Sequence, residues 1–422
     1  MKCFKWILIQ IIILSLFSPI CWGKVVNIGL NYPQTGPYSI QGKAQYNAAM
    51  LAIEEINNKG GILNRKINLI TRDTQSKPAV SRKNVMEMID KKRCEMIFGG
   101  SSSAVAIEGG KVAKSRGKLY FGTLTYSNAT TGTEGHKYMF RECYNSWMAA
   151  NALSSYLMDN KLTSKKFFYI TANYTWGKTT EKSIRNFSKT TNEKRHKRFY
   201  TPFPGATYKD FSNALALARV IKPQVLVLVL FGRDMARALT MLEEMGLKKN
   251  FQAILVPNLT LGMAVSAGPK VMEDVIGALP WCWKVPFENK KYTKGKEFVT
   301  KYVNKYYSYP SSSAGSAYTI LYEYKSAVER AGTFDTKAVI KALENHKYVS
   351  LKDEQQWRAL DHQSQQTVYV VKCKKAEEVT KNKFKQDYFK ILYSMPGEKA
   401  TRDPASWKQL RINAGKQPEL EY

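Results

Sequence analysis

The residues with the clearest capacity for chemistry are three consecutive hydroxyls, Ser101, Ser102 and Ser103. They follow the short apolar run Met96-Ile97-Phe98 and the pair Gly99-Gly100, and they lead into a helical segment. A turn from strand into helix leaves backbone N–H groups unpaired, and the helix dipole adds partial positive charge there. Hydroxyls add further donors, so the turn suits a carboxylate or another anion. The same residues could instead cap the helix. The loop after the next short strand, Gly122-Thr123-Leu124-Thr125-Tyr126-Ser127, is again rich in hydroxyls. Farther on, Asn173-Tyr174-Thr175-Trp176-Gly177 follows an apolar strand. An indole there can cover the apolar part of a ligand or pack the start of a helix. Asn258, which follows Val256-Pro257, can both donate and accept hydrogen bonds. These are groups for binding. The histidines His136, His196, His346 and His362 stand in no metal-ligand spacing, and HExxH, GxSxG, GxGxxG and GxxxxGK[ST] motifs do not occur. The chain is expected to be no enzyme and to hold no metal and no cofactor.

Strands alternating with helices must position these loops. Val25 to Leu30 reads as a first strand, and Ala49, Ala52, Ile53 and Ile56 mark one apolar face of a helix that Gly60-Gly61 stops. Ile67 to Thr71, Met96 to Phe98 and Leu119 to Phe121 continue the strands, with helices between them. A second run of the same kind starts near Asn145, with strands Phe167 to Thr171, Arg198 to Phe203, Val225 to Phe231 and Ala253 to Val256. Alternation of this sort implies parallel sheets covered on both faces, and ligands then bind at the carboxyl ends of the strands. After Gly277 helices dominate, until a late strand from Thr367 to Cys373. The expected division is 1–23 leader, 24–145 first lobe, 146–276 second lobe, 277–350 return to the first lobe, 351–395 return to the second lobe and hinge, and 396–422 a polar tail that is loosely ordered or wraps the surface.

The leader has a basic start in Lys2 and Lys5, an apolar stretch from Trp6 to Phe17, and Cys21 and Gly23 at the small-residue positions of a cleavage site. The stretch is shorter than a membrane-spanning helix needs. Export to the periplasm follows as the expectation. Net charge is +31, or +29 without Lys2 and Lys5. The cations are spread along the chain, and the densest run, Lys194 to Arg198, carries no nucleic-acid motif. A solvated basic surface is expected, with no nucleic-acid partner. Cys94, Cys143, Cys282 and Cys373 remain after cleavage. They could form two disulfides or stay as buried thiols.

In order and spacing, several segments together resemble the branched-chain amino acid-binding proteins, the type I periplasmic solute-binding proteins of ABC transporters. They are Thr35-Gly36-Pro37 with Gly42, Ala49 to Asn57 running into Gly60-Gly61-Ile62, and Asp73 to Pro78. Gly99 with the serines, Phe140-Arg141, Tyr174 to Gly177, and Asp361-His362-Gln363 before Tyr369 complete the set. The last of these is similar to members with amide or urea-like ligands. The resemblance covers nearly all of the chain after the leader. It implies two Rossmann-like α/β lobes with parallel sheets joined by a hinge, in a Venus-flytrap arrangement with three crossings. It implies a monomer that takes a small polar solute and hands it to a membrane permease in amino acid transport. Carried over by position, Ser101 and Ser102 would meet a ligand carboxylate or carbonyl. Thr125 and Tyr126 would occupy the second edge loop, Tyr38 and Gln41 the first, and Trp176 an aromatic wall. In the family an acidic residue usually neutralises the ligand ammonium where Asn258 aligns here. Another acid could substitute, and Asp234 is available, though it could equally cap a helix. Otherwise the ligand is an amide, a urea-like compound or another small polar solute. Two rival roles stand beside transport: a ligand sensor for a membrane kinase or chemoreceptor, and an exported enzyme acting on a small amide.

Overall fold

A computed structural model describes residues 25–422, so the expected leader lies outside the described residues. Two sheets organise the chain. The first has the order Lys66–Asp73, Val25–Tyr32, Cys94–Gly99, Leu119–Gly122, Met139–Arg141, parallel throughout. The second runs Phe389–Met395, Val368–Cys373, Ile276–Leu279, Ala253–Val256, Val225–Val229, Phe167–Ala172, Lys197–Thr201. Its first two strands are antiparallel additions at one edge. The remaining strands are parallel. Val225–Val229 is Val and Leu only and wholly buried, as a central parallel strand covered on both faces must be.

Late segments return to both bodies. Ile276–Leu279 still pairs in the second sheet, so the return to the first body starts slightly beyond residue 277. Thr293–Tyr306 and Ser312–Ala331 then lie against Ser39–Asn58 of the first body. Glu55 fixes that contact by accepting from Lys301 at 2.7 Å, Tyr318 at 2.5 Å and Tyr322 at 2.6 Å. Residues 355–365 stay with the first body rather than moving to the second at 351. Gln355–Trp357 and Ser364–Gln365 form a small antiparallel sheet with Lys347–Tyr348. Trp357 sits edge-on to Phe121 and Phe140, each at 5.7 Å between centroids. Strands of two or three residues carry no readable periodicity, so the sequence does not announce them. The polar tail wraps the first body. Trp407 donates to the Thr131 carbonyl at 3.0 Å, and Arg411 donates to those of Gly132 at 2.6 Å and Gly135 at 3.1 Å. Two buried side chains thus anchor a segment with few apolar residues.

Three crossings join the bodies: residues 141–146, the turn at Pro280-Trp281-Cys282, and Gln366-Thr367. Arg141 is buried at the first and sends its guanidinium in several directions. It donates to Gln363 Oε1 at 2.7 Å, Thr131 Oγ1 at 2.7 Å, the Thr125 carbonyl at 3.0 Å and the Ser127 carbonyl. Burial pulls its pKa down to about 10, which still leaves it charged at neutral pH. Lys352 ties the second crossing to the third by donating to Pro280 O at 2.6 Å, Gln366 Oε1 at 2.9 Å and Thr367 O at 2.8 Å. The four cysteines are free and buried, which settles the choice left open by the sequence. Burial raises each thiol, to about 12 for Cys94 and Cys143 and about 11 for Cys282.

Two outcomes follow. Arg141→Met strips several buried acceptors of their donor and is expected to lower stability by about 3 kcal/mol or more, read as a drop in urea midpoint. A midpoint within error of the parent would refute that role. Alkylation of the native protein is expected to leave all four thiols unlabelled, while denaturation without reductant labels them all.

Candidate functional site

The carboxyl ends of the two sheets face one another. From the first body, the turns at Tyr38, Ser101 to Ser103, and Leu124 to Tyr126 reach the junction; from the second come Tyr174, Trp176 and Phe231. Together these residues enclose a gap of about 10 Å³. That is room for about one water molecule, so the bodies are closed on each other. Contacts across the junction are short. Tyr38 and Tyr174 hydroxyls lie 3.2 Å apart, Ser127 and Thr179 hydroxyls 3.1 Å apart, and Asn128 donates to Ser183 at 2.9 Å. Phe231 meets Tyr38 at 5.2 Å and Tyr126 and Trp176 each at 5.9 Å, all edge to face. Phe203 stacks on Tyr174 at 4.1 Å and on Tyr38 at 5.9 Å.

Two glycines make this approach possible. A Cβ at Gly177 would lie 1.9 Å from the Ala172 carbonyl, so only glycine lets the helix bearing Trp176 start so close to its strand. Gly232 has φ of +60°, and a Cβ there would stand 2.8 Å from the Pro37 carbonyl of the other body.

The serine turn keeps its donors. Ser102 is the extended residue before the Ser103–Ser115 helix, yet no side chain caps that helix. Simple capping is therefore not the role of Ser102. Ser101 accepts from Gln45 Nε2 at 2.6 Å, and Ser103 accepts from the Ser127 N–H at 2.9 Å. Each of those hydroxyls retains its own proton to give.

The residues singled out from the sequence divide into three groups. Ser101, Ser102, Tyr126, Trp176 and Tyr38 line the gap. Asn258 stands behind it. Its Oδ1 accepts from Trp176 Nε1 at 3.0 Å, which orients the indole, while its Nδ2 is buried without a partner. Thr125 and Gln41 do not line it. Thr125 bonds Thr130 at 2.6 Å and turns toward Gly122, while its neighbours Leu124 and Tyr126 face the gap. Successive residues of an extended turn point to opposite sides, and here a one-residue offset decides. Gln41 is buried beneath Gly262 of the second body, and its Oε1 has no partner. Tyr174, Phe231 and Leu124 were not singled out. An aromatic residue ending an apolar strand was the available signal for the first two. Among the described residues no cluster could hold a metal ion.

Comparison with known proteins agrees with this arrangement. A family model described as periplasmic binding protein matches residues 25–378. A Leu/Ile/Val-binding protein, BraC3, of Rhizobium johnstonii is 30% identical over 148 residues, covering 34% of this chain and 38% of that protein's length. The structure of a periplasmic binding protein from Burkholderia mallei superposes with TM-score 0.79 at 23% identity, covering 90% of this chain and 96% of that one. A leucine-binding protein from Thermotoga maritima does so at 0.75 and 18%, covering 89% and 99%. These likenesses establish the two-lobed fold. Among the described residues no helix is long and apolar enough to cross a membrane.

Asp234 lies in the first turn of Arg233–Glu244 and is not part of the lining, though its charge reaches the Tyr38 and Tyr174 hydroxyls. Burial pushes its carboxyl up to about 6, against a smaller lowering by Arg237. A carboxyl raised in the folded state holds its proton more tightly there than in the unfolded chain. Its favourable contribution is full below the unfolded value, about 4, and is lost as pH rises through about 6. Asp234→Asn is therefore expected to gain stability over the parent between pH 4.5 and 7, by roughly 1–3 kcal/mol. A difference that does not vary with pH contradicts the assignment.

Proposed function

This chain belongs to the periplasmic binding protein family, and from that premise we propose that it captures a small polar solute between its lobes and delivers it to the membrane permease of an ABC importer. The single observation supporting this is the meeting of the serine turn and the tryptophan turn, from separate bodies, across one closed gap. Binding without chemistry suffices. In an open form both sets of strand ends face water. A solute that bonds the serine turn and packs on the Trp176 side favours the closed form by its differential contacts with it. The three hinge crossings bend, while each sheet moves as a unit. The ligand-contacting residues in this reading are Ser101, Ser102, Tyr38, Tyr126 and Trp176, with Asn258 holding Trp176. Export by the leader at residues 1–23 places the protein in the periplasm, where the permease meets its closed surface. The lining holds serine, leucine and aromatic side chains only, with no acid, base or nucleophile–base pair, which favours capture over catalysis.

A thermal-shift screen of small amino acids, amides, ureas and organic acids, followed by calorimetry, tests the reading. One solute bound per chain, recovered unchanged, is the expected result. Ser102→Ala and Trp176→Phe should each weaken it about tenfold; Ser102→Ala leaves the melting temperature of the empty protein unchanged, whereas Trp176→Phe lowers it by taking the donor from Asn258 Oδ1. Conversion of the solute, or affinity untouched by both variants, would sink the proposal.

A further inference from the structure

We infer that a cluster of aromatic rings and lysines beside the second hinge crossing docks the protein on an anionic phospholipid bilayer. The surface lies outside the gap and shares no residue with its lining. Three loops meet there. Trp283 and Phe287 follow the crossing at Pro280-Trp281-Cys282, Tyr309 lies between Thr293–Tyr306 and Ser312–Ala331, and Phe384 precedes Phe389–Met395 of the second body. Trp283 stacks flat on Tyr309, with centroids 3.8 Å apart and planes at 5°, and Phe384 meets Tyr309 edge-on at 5.2 Å. Gln386 accepts from the Tyr309 N–H at 2.9 Å, and Asn382 donates to its hydroxyl at 3.3 Å. The rings are therefore fixed before any partner arrives. Phe287 sits edge-on to Trp283 at 6.3 Å and is 51% exposed, and Tyr307 is 78% exposed. Exposed Ile40 and Val265, from the two bodies, line a groove of about 570 Å³ that reaches Tyr309. Single exposed rings are ordinary on a protein surface, whereas a connected apolar patch marks a docking face.

Cations surround the rings. Loops 283–292 and 381–387 hold six lysines against Glu288 and Asp387. Asp387 is used within the cluster, by Lys284 at 2.8 Å and Lys374 at 2.7 Å. Lys290, Lys291, Lys383 and Lys385 are exposed and pair with no carboxylate among the described residues. No arginine stands in either loop. Protein interfaces favour arginine, whose planar fork needs acceptors at set positions, and are poor in lysine. Lysine is a point charge on a flexible stem, which suits a surface of many phosphates in no fixed arrangement. Lysine beside Trp, Tyr and Phe is the composition that settles at the headgroup level of a bilayer. The rings enter the interface and the ammonium groups meet the phosphates. Charge draws the chain to such a surface and apolar contact holds it, and stable attachment takes both.

Co-sedimentation with vesicles tests this, using the chain without residues 1–23, whose apolar stretch would itself insert. Vesicles of phosphatidylglycerol and phosphatidylcholine in equal parts are compared with phosphatidylcholine alone. Binding to the anionic vesicles is expected to be at least about thirtyfold tighter, and to weaken as salt rises from about 50 to about 300 mM. Joint replacement Lys290→Gln, Lys291→Gln, Lys383→Gln and Lys385→Gln should weaken it about thirtyfold, and Phe287→Ser about fivefold. A control takes the same charge from exposed Lys178, Lys182, Lys189 and Lys194, each changed to Gln. These lead into Lys197–Thr201, at the opposite edge of the second sheet from Phe389–Met395, and the control should bind within about twofold of the parent. No binding to the anionic vesicles overturns the inference and leaves the patch to an acidic protein. Unchanged affinity in either patch variant overturns it too. So does an equal loss in the control, which makes net charge alone the cause. Solute capture in the gap stands or falls by its own screen.

Discussion

A guanidinium taken out of water needs acceptors for its N–H groups, and Arg141 finds them on two separate segments of the first body beside the hinge. Its partners at Thr125, Ser127 and Thr131 belong to the loop that brings Tyr126 to the gap. Its partner Gln363 belongs to the approach to the third crossing, and the same Gln363 side chain donates to the Cys143 carbonyl at 2.9 Å. One buried charge therefore sets a gap-lining turn and ties two segments of the hinge together. Any shift of that turn would break bonds between groups that are all buried. The position of Tyr126 is thus decided by polar satisfaction underneath it, not by contacts within the gap.

A second constraint acts from the other body. Trp176 is fixed through its N–H by Asn258 and through its backbone by the clash-free space at Gly177. The indole is consequently held in place from beneath and along its backbone. Ring packing and a few hydroxyl pairs join the two bodies across the gap, each of them weak individually.

The large positive charge has little part in this. The basic run from Lys194 to Arg198 resolves into structural uses. Arg195 donates to the Ser164 carbonyl at 2.7 Å, His196 accepts from the Phe167 N–H at 3.1 Å, and Arg198 pairs with Glu193 at 2.5 Å. Exposed pairs of this kind add little stability. The cleft itself carries no charged side chain in its lining.

The alternation of apolar strands and amphipathic helices was enough to give two parallel α/β bodies, because burial on both faces demands near-continuous apolar strands such as Val225–Val229. Loop position followed from the same logic, so the serine and tryptophan turns were legible as edge loops. Which side chain of a loop faces the gap was not, since Thr125 and Tyr126 differ by one step of an extended turn and the sequence holds no marker of its phase. Nor could it reveal that Asn258 serves Trp176 first, that the polar tail docks through Trp407 and Arg411, or that residues 355–365 stay with the first body. Each of these depends on partners distant in sequence, such as Arg141 and Gln363, whose meeting only the packed chain determines. The cysteines make the same point: four thiols in a chain whose sequence reads as exported permit disulfides, and only their separate burial in the tertiary structure leaves them single.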